Sequence, residues 1–135
     1  MSIPAPDAPL IAIIDDDDVF VALLVDLFTG EGYRVVTGGM PDAALLLLRA
    51  HRPDLAVLDL AFGSTHEAGL ALLGALRVEQ HFARLPVIVV SGAAEYLRAH
   101  AAAFVALNAV TFPKPLDLDA LLDAVARMIP GPPRG

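Results

Sequence analysis

Residues Leu10–Ile14 form an unbroken apolar run, and the next four residues, Asp15–Asp18, are all aspartate. This juncture constrains the fold more than any other part of the chain. A short apolar run without alternation marks a strand buried on both faces. Such a strand needs helices packed above and below it. The rest of the chain repeats the pattern. Apolar runs at Tyr33–Thr37, Leu55–Leu60, Val87–Val90 and Val110–Phe112 read as further strands. Between them lie segments of helical period. Asp17 or Asp18 caps the first, in which Phe20, Leu23, Leu24, Leu27 and Phe28 form one predicted apolar stripe. Gly30 and Gly32 end it. Gly38-Gly39 is a loop, and Pro41 opens a helix to about Ala50. Arg52-Pro53 breaks the chain before the third strand. Further helices are predicted at Gly69–Gln80, at Ala93–Leu107 and from the Asp117 cap to about Ile129. Residues 130–135, Pro-Gly-Pro-Pro-Arg-Gly, cannot pack as a helix. Five βα units in series predict an α/β fold with a parallel sheet and right-handed crossovers. In such sheets the site lies beyond the carboxyl ends of the strands.

Length and charge narrow the function. One domain is expected of 135 residues, with a core at about 9–129 and a tail at 130–135. With 56% hydrophobic and 19% charged residues, disorder is excluded. The formal charge is −7 and the nine Lys and Arg are scattered, so no nucleic-acid surface is expected. There is no cysteine, hence neither a disulfide framework nor a thiolate metal site. The amino terminus lacks the basic-then-apolar order of a signal peptide. No apolar run reaches the roughly 18 residues needed to cross a bilayer. A cytoplasmic protein without membrane partners is the expectation.

The chemistry gathers at the predicted strand ends. Asp15–Asp18 follow the first strand, Asp59 ends the third, Ser91 follows the fourth and Lys114 the fifth. Like charges held close raise each other's pKa, so a bare acidic cluster is costly. A divalent cation relieves that cost, and oxygen-only ligands with open positions suit Mg²⁺. Such a site can carry phosphoryl transfer, with a carboxylate as nucleophile.

These residues resemble the receiver family of two-component response regulators. The resemblance rests on IIDDDD at 13–18, EGYRV at 31–35, PDLAVLDL at 53–60, PVIVVSG at 86–92 and PKP at 113–115, and covers about residues 9–129. It implies a flavodoxin-like, doubly wound (βα)5 fold whose five-stranded parallel sheet has the order 2-1-3-4-5. It places the acid pair at Asp15 and Asp16, the phospho-acceptor at Asp59 and a metal-binding backbone carbonyl at Ala61. The switch hydroxyl falls on Ser91, and the phosphate-pairing amine on Lys114, with Lys114-Pro115 as a cis peptide. The implied cofactor is Mg²⁺. The implied donor is a histidine kinase or phosphotransfer protein, and the output is an unidentified downstream protein. No output domain is expected, since the chain ends shortly after the last helix.

Three departures stand out. The segment Ala61–Gly69 is longer than the family's and lacks its proline. The aromatic slot three residues before the lysine holds Thr111, and Phe112 is expected in the core. The residues two after Asp59 and two after Ser91 are Ala61 and Ala93, which offer no polar help to water. Val21 and Val25 face outward on the expected first helix, marking either deeper burial or a docking face for the donor. The low-charge Ala93–Leu107 helix is a candidate homodimer face. His51, His66, His81 and His100 show no ligand spacing, though the loop bearing His66 could reach the site; Asp54 is expected at the surface. Two other functions compete with this one. Asp15-x-Asp17-x-Val19 fits the opening motif of haloacid-dehalogenase-type phosphatases, with Asp15 as nucleophile. That reading leaves Asp59 unemployed and finds neither a cap domain nor an acidic motif after Lys114. A receiver-like module that binds partners without phosphorylation is the other.

Overall fold

The computed structural model describes residues 4–39, 41–59 and 66–129, with backbone alone at 41, 42 and 66–68. Five parallel strands, β1 (Leu10–Ile14), β2 (Arg34–Gly38), β3 (Leu55–Asp59), β4 (Val87–Ser91) and β5 (Ala109–Pro113), form one sheet in the order β2-β1-β3-β4-β5. The helices are α1 (Asp18–Gly30), α2 (Pro41–His51), α3 (His66–Arg77), α4 (Ala94–Ala99), α5 (Ala101–Ala106) and α6 (Leu118–Met128), with a 3-10 turn at Gln80–Phe82. This is the expected fold class and sheet order.

Strand alternation sorts the core into two layers. Ile11, Ile13, Leu55, Val57, Ile88 and Val90 meet Leu24 and Phe28 of α1 and Leu121, Ala124 and Val125 of α6. Ala12, Ile14, Ala56, Leu58, Val87 and Val89 meet the opposite layer, built from α2, α3, α4 and α5 around Leu48, Leu73, Leu97 and Phe104. β1, β3 and β4 are buried along their whole length, as their continuous apolar runs require.

The first helix is capped at both ends. Asp17 accepts hydrogen bonds from the amides of Val19 and Phe20. At the other end Gly32 takes φ 96°, and the amides of Gly32 and Tyr33 donate to the carbonyls of Thr29 and Phe28. The Tyr33 ring then packs edge-on against Phe28.

Several boundaries differ from the sequence expectation. Leu23 is 46% exposed and drops out of the predicted stripe, whereas Val21 and Val25 pack against the α1/α6 core layer. The helix is rotated because Leu24 and Phe28 take the deepest positions, which turns Val21 and Val25 inward. Deeper burial therefore accounts for both valines. The predicted Gly69–Gln80 helix spans His66–Arg77 instead. Its buried Leu72, Leu73 and Leu76 outweigh the low helix propensity of Gly69 and Gly74. The predicted Ala93–Leu107 helix is two helices, broken at His100. The His100 ring stacks on Tyr96 at 3.9 Å, and its Nδ1 donates to the Tyr96 carbonyl at 3.0 Å, sharing that acceptor with the His100 amide. The segment 60–65 and the tail 130–135 lie outside the described residues. Among the described residues no helix is long and apolar enough to cross a membrane.

Candidate functional site

Register alone brings the polar residues to one edge. Ile14 pairs with Leu58, so Asp15 stands level with Asp59 across adjacent strands. Asp59 pairs with Val90 and Ser91 with Pro113, which puts Ser91 one step and Lys114 two steps beyond that line. Alternation also assigns a side. Asp15 continues the Ile11, Ile13 series and Asp59 the Leu55, Val57 series, both on the α1/α6 face.

The side chains meet there. Asp15 and Asp59 are buried, at 3% and 6% exposure, and Asp16 is open to solvent. One carboxylate oxygen from each of the three lies within 4.8 Å of the others. Lys114 Nζ is 3.3 Å from Asp15 Oδ2 and 3.9 Å from Asp59 Oδ2. The same ammonium lies 4.2 Å from the centre of the Phe20 ring. Ser91 is fully buried, its hydroxyl accepts from the Ala93 amide at 2.9 Å, and its carbonyl accepts from the Lys114 amide at 2.7 Å. The Lys114-Pro115 peptide is cis.

The electrostatics follow from burial. Desolvation lifts the Asp15 carboxyl from 3.8 to about 6; the Asp17 amide, donating at 2.9 Å, opposes this, the Asp59 charge adds to it and Lys114 offsets part. Two buried acids and one open acid make a hard-oxygen donor set, and Lys114 alone leaves it negative. That set fits Mg²⁺, which takes few carboxylates and keeps waters. Among the described residues these three are the group able to share an ion. Of the predicted site residues, Asp15, Asp16, Asp59 and Lys114 come together, and Ser91 joins them through the Lys114 amide. Ala61 lies outside the described residues, as does the His66 side chain.

Other acids have local duties. Asp17 caps α1. Asp54, expected at the surface, stays exposed, but its carboxylate accepts from the Leu10 amide while its own amide donates to the Leu10 carbonyl. Two residues escaped the sequence reading. Phe20 was assigned only to the core stripe. Arg77 donates to the carbonyls of Leu107, Phe82, Leu85 and Asn108 at 2.8, 2.8, 2.8 and 3.2 Å, clasping two loops. No sequence pattern signals either contact, since both join segments remote in the chain or around a turn. A groove of about 370 Å³ lined by Arg49, Arg52, Glu79, Gln80, His81 and Phe82 lies before the amino ends of β3 and β4, away from the carboxylates.

Comparison with known proteins agrees with this geometry. The family model described as "Response regulator receiver domain" matches residues 11–126. Sporulation initiation phosphotransferase F of Bacillus subtilis is 29% identical over 121 residues, 89% of this chain and 93% of its own. The nitrogen assimilation regulatory protein NtrX of Azorhizobium caulinodans is 33% identical over 82 residues, 61% of this chain but 18% of its own length. The solved response regulator receiver protein from Pseudomonas putida is 29% identical, with a TM-score of 0.79 over 91% of this chain and 99% of that one.

Proposed function

The chain belongs to the response regulator receiver family, and from that premise we propose that Asp59 is its phospho-acceptor, within one receiver unit of about residues 9–129. The family is a phosphorylation-dependent signalling switch of two-component systems. The observation that carries the assignment is the meeting of Asp59 with Asp15, Asp16 and Lys114 on one strand-end edge. Asp15, Asp16 and Asp59 would hold Mg²⁺, with the Ala61 carbonyl as a further ligand. The bound cation supplies charge neutralisation and orientation of the phosphoryl oxygens.

The chain's own groups carry the rest. An Asp59 carboxylate oxygen attacks the phosphorus of a phosphohistidine, forming the P–O bond as the P–N bond breaks, and the imidazole nitrogen keeps the electron pair. Lys114 faces the oxygens on which charge accumulates. In this reading the Ser91 hydroxyl, which accepts from the Ala93 amide in the unphosphorylated protein, turns toward the new phosphate. That exchange biases the surface around α4, α5 and α6 toward its signalling state. The donor is a histidine kinase or phosphotransfer protein, and the output is contact with another protein or a second copy, with no external substrate turned over. A cytoplasmic site of action fits a cysteine-free chain.

The test is treatment with Mg²⁺ and a small acyl phosphate, read by intact mass. Phosphoryl label should appear on the wild type and on Asp15→Asn to a lesser extent, and vanish in Asp59→Asn. Label that persists in Asp59→Asn and vanishes in Asp15→Asn assigns the nucleophile to Asp15, as in a phosphatase. No label in any form leaves a binding module.

A further inference from the structure

We propose that Phe20 is a positioning residue for Lys114, its ring holding the ammonium group where phosphoryl transfer needs it. The role in transfer rests on Asp59 being the acceptor. The contact itself does not.

A lysine ammonium is a compact charge on a four-carbon stem, and one ion pair leaves it several orientations. Here three groups bound it. Lys114 Nζ lies 3.3 Å from Asp15 Oδ2, 3.9 Å from Asp59 Oδ2 and 4.2 Å from the Phe20 ring centre. The ring face carries negative potential, so all three contacts attract the same cation. The ring is itself held. Phe20 sits in the first turn of α1, its amide donates to Asp17 Oδ1 at 3.2 Å, and its side chain packs on the α1/α6 core layer. Asp17 thus fixes both neighbours of the amine, since its own amide also donates to Asp15. The expected aromatic slot on β5 holds Thr111, and Phe112 packs into the same core layer. The aromatic seated against the cation therefore comes from α1. Without the ring, the amine has only the carboxylates to follow and spends less time facing the incoming phosphoryl oxygens.

Variants Phe20→Leu, Phe20→Met, Phe20→Tyr and Phe20→Trp of the full chain supply the test. The first readout is the NMR shift of the Lys114 side-chain ε-methylene in the unphosphorylated protein. It should lie upfield in the wild type, lose that displacement in Leu and Met, and keep it in Tyr and Trp. The second is the rate of Asp59 phosphorylation by acetyl phosphate at saturating Mg²⁺. It should fall about twofold to tenfold in Leu and Met, the range a half-buried cation–π contact supports, and recover in Tyr and Trp. A merely structural role would lower the melting temperature without moving the Lys114 shift. Unchanged shifts in Leu and Met overturn the contact, and unchanged rates overturn its role in transfer. If the wild type takes no phosphoryl group on Asp59, the acceptor assignment and the transfer role fail together, while the shift still decides the contact.

Discussion

Replacing Asp15 with asparagine should make the metal-free protein more stable at pH 7, although the residue belongs to the site. Burial lifts this carboxyl from 3.8 to about 6. Between those values the folded protein keeps a proton that the unfolded chain has lost. The wild type therefore loses stability as pH rises from about 4 to about 6, and bears the whole cost above that window. The interval from 3.8 to about 6 is about 2.2 pH units, which at 1.36 kcal/mol each is about 3 kcal/mol. Asp59 shares the same field, so a gain of about 1–3 kcal/mol is the working figure for asparagine. Asparagine resembles the protonated acid and keeps an oxygen for the Asp17 amide. At pH 4 the wild type is itself protonated, and the gain should shrink to below ~0.5 kcal/mol.

Urea unfolding in a chelator at pH 7 and pH 4 reads both numbers, provided the denaturant slopes agree. Saturating Mg²⁺ should then narrow the gap at pH 7. Binding to the native wild type adds RT ln(1 + [L]/Kd), about 2.7 kcal/mol at a hundredfold excess over Kd, and the variant has one carboxylate fewer to bind with. An asparagine variant less stable than the wild type in chelator at pH 7, or a gain equal at both pH values, refutes the reasoning.

Three structural predictions accompany it. Arg77→Ala should cost about 2–3 kcal/mol in urea unfolding because four carbonyl contacts go at once, and Arg77→Lys should not restore it, lacking the planar fork; an unchanged midpoint in Arg77→Ala would refute the clasp. Gly32→Ala, at φ 96°, should lower stability by about 1–2 kcal/mol in a calorimetric scan, and a neutral result would remove the turn from the account of α1. Phe28→Ala, fully buried between β1 and α6, should cost about 3–5 kcal/mol, and a loss below 1 kcal/mol would mean that the α1/α6 layer is less closely packed than described.

What could be read from the chain divides by range. Strands β1, β3 and β4 were legible because burial on both faces leaves a run of consecutive apolar residues. The cap Asp117 was legible, and the first cap was narrowed to Asp17 or Asp18, because cap chemistry is local. Asp15, Asp59 and Lys114 could be gathered because parallel strands put their ends on one side. The misreadings concern packing between segments. Whether α1 buries Leu23 or Val21 depends on where β1 and α6 lie, and both residues are equally apolar. The break at His100 falls inside an alanine-rich segment whose composition favours unbroken helix, so nothing in the local pattern marks it. Phe20 against Lys114 and Arg77 on its carbonyls depend on side-chain reach across the fold, which no periodicity encodes.

The sheet order explains why the site needs a long amine with a support. β1 and β3 are neighbours, and adjacent strands lie about 4.8 Å apart, so Asp15 and Asp59 meet without any special loop. Lys114 starts beyond β5, with β4 between it and β3, and a short side chain would not reach the acids. Reach brings freedom, since each added methylene is another torsion to order. The first turn of α1, pinned by Asp17 directly above β1, is where a rigid group can limit that freedom, and Phe20 stands there. The cap, the acid, the ring and the amine thus form one connected arrangement. On that basis Asp17→Ala should disturb Lys114 as well as α1. It should cost about 1 kcal/mol in stability and also shift the Lys114 ε-methylene signal, whereas a stability loss with an unmoved Lys114 would show that cap and site are independent.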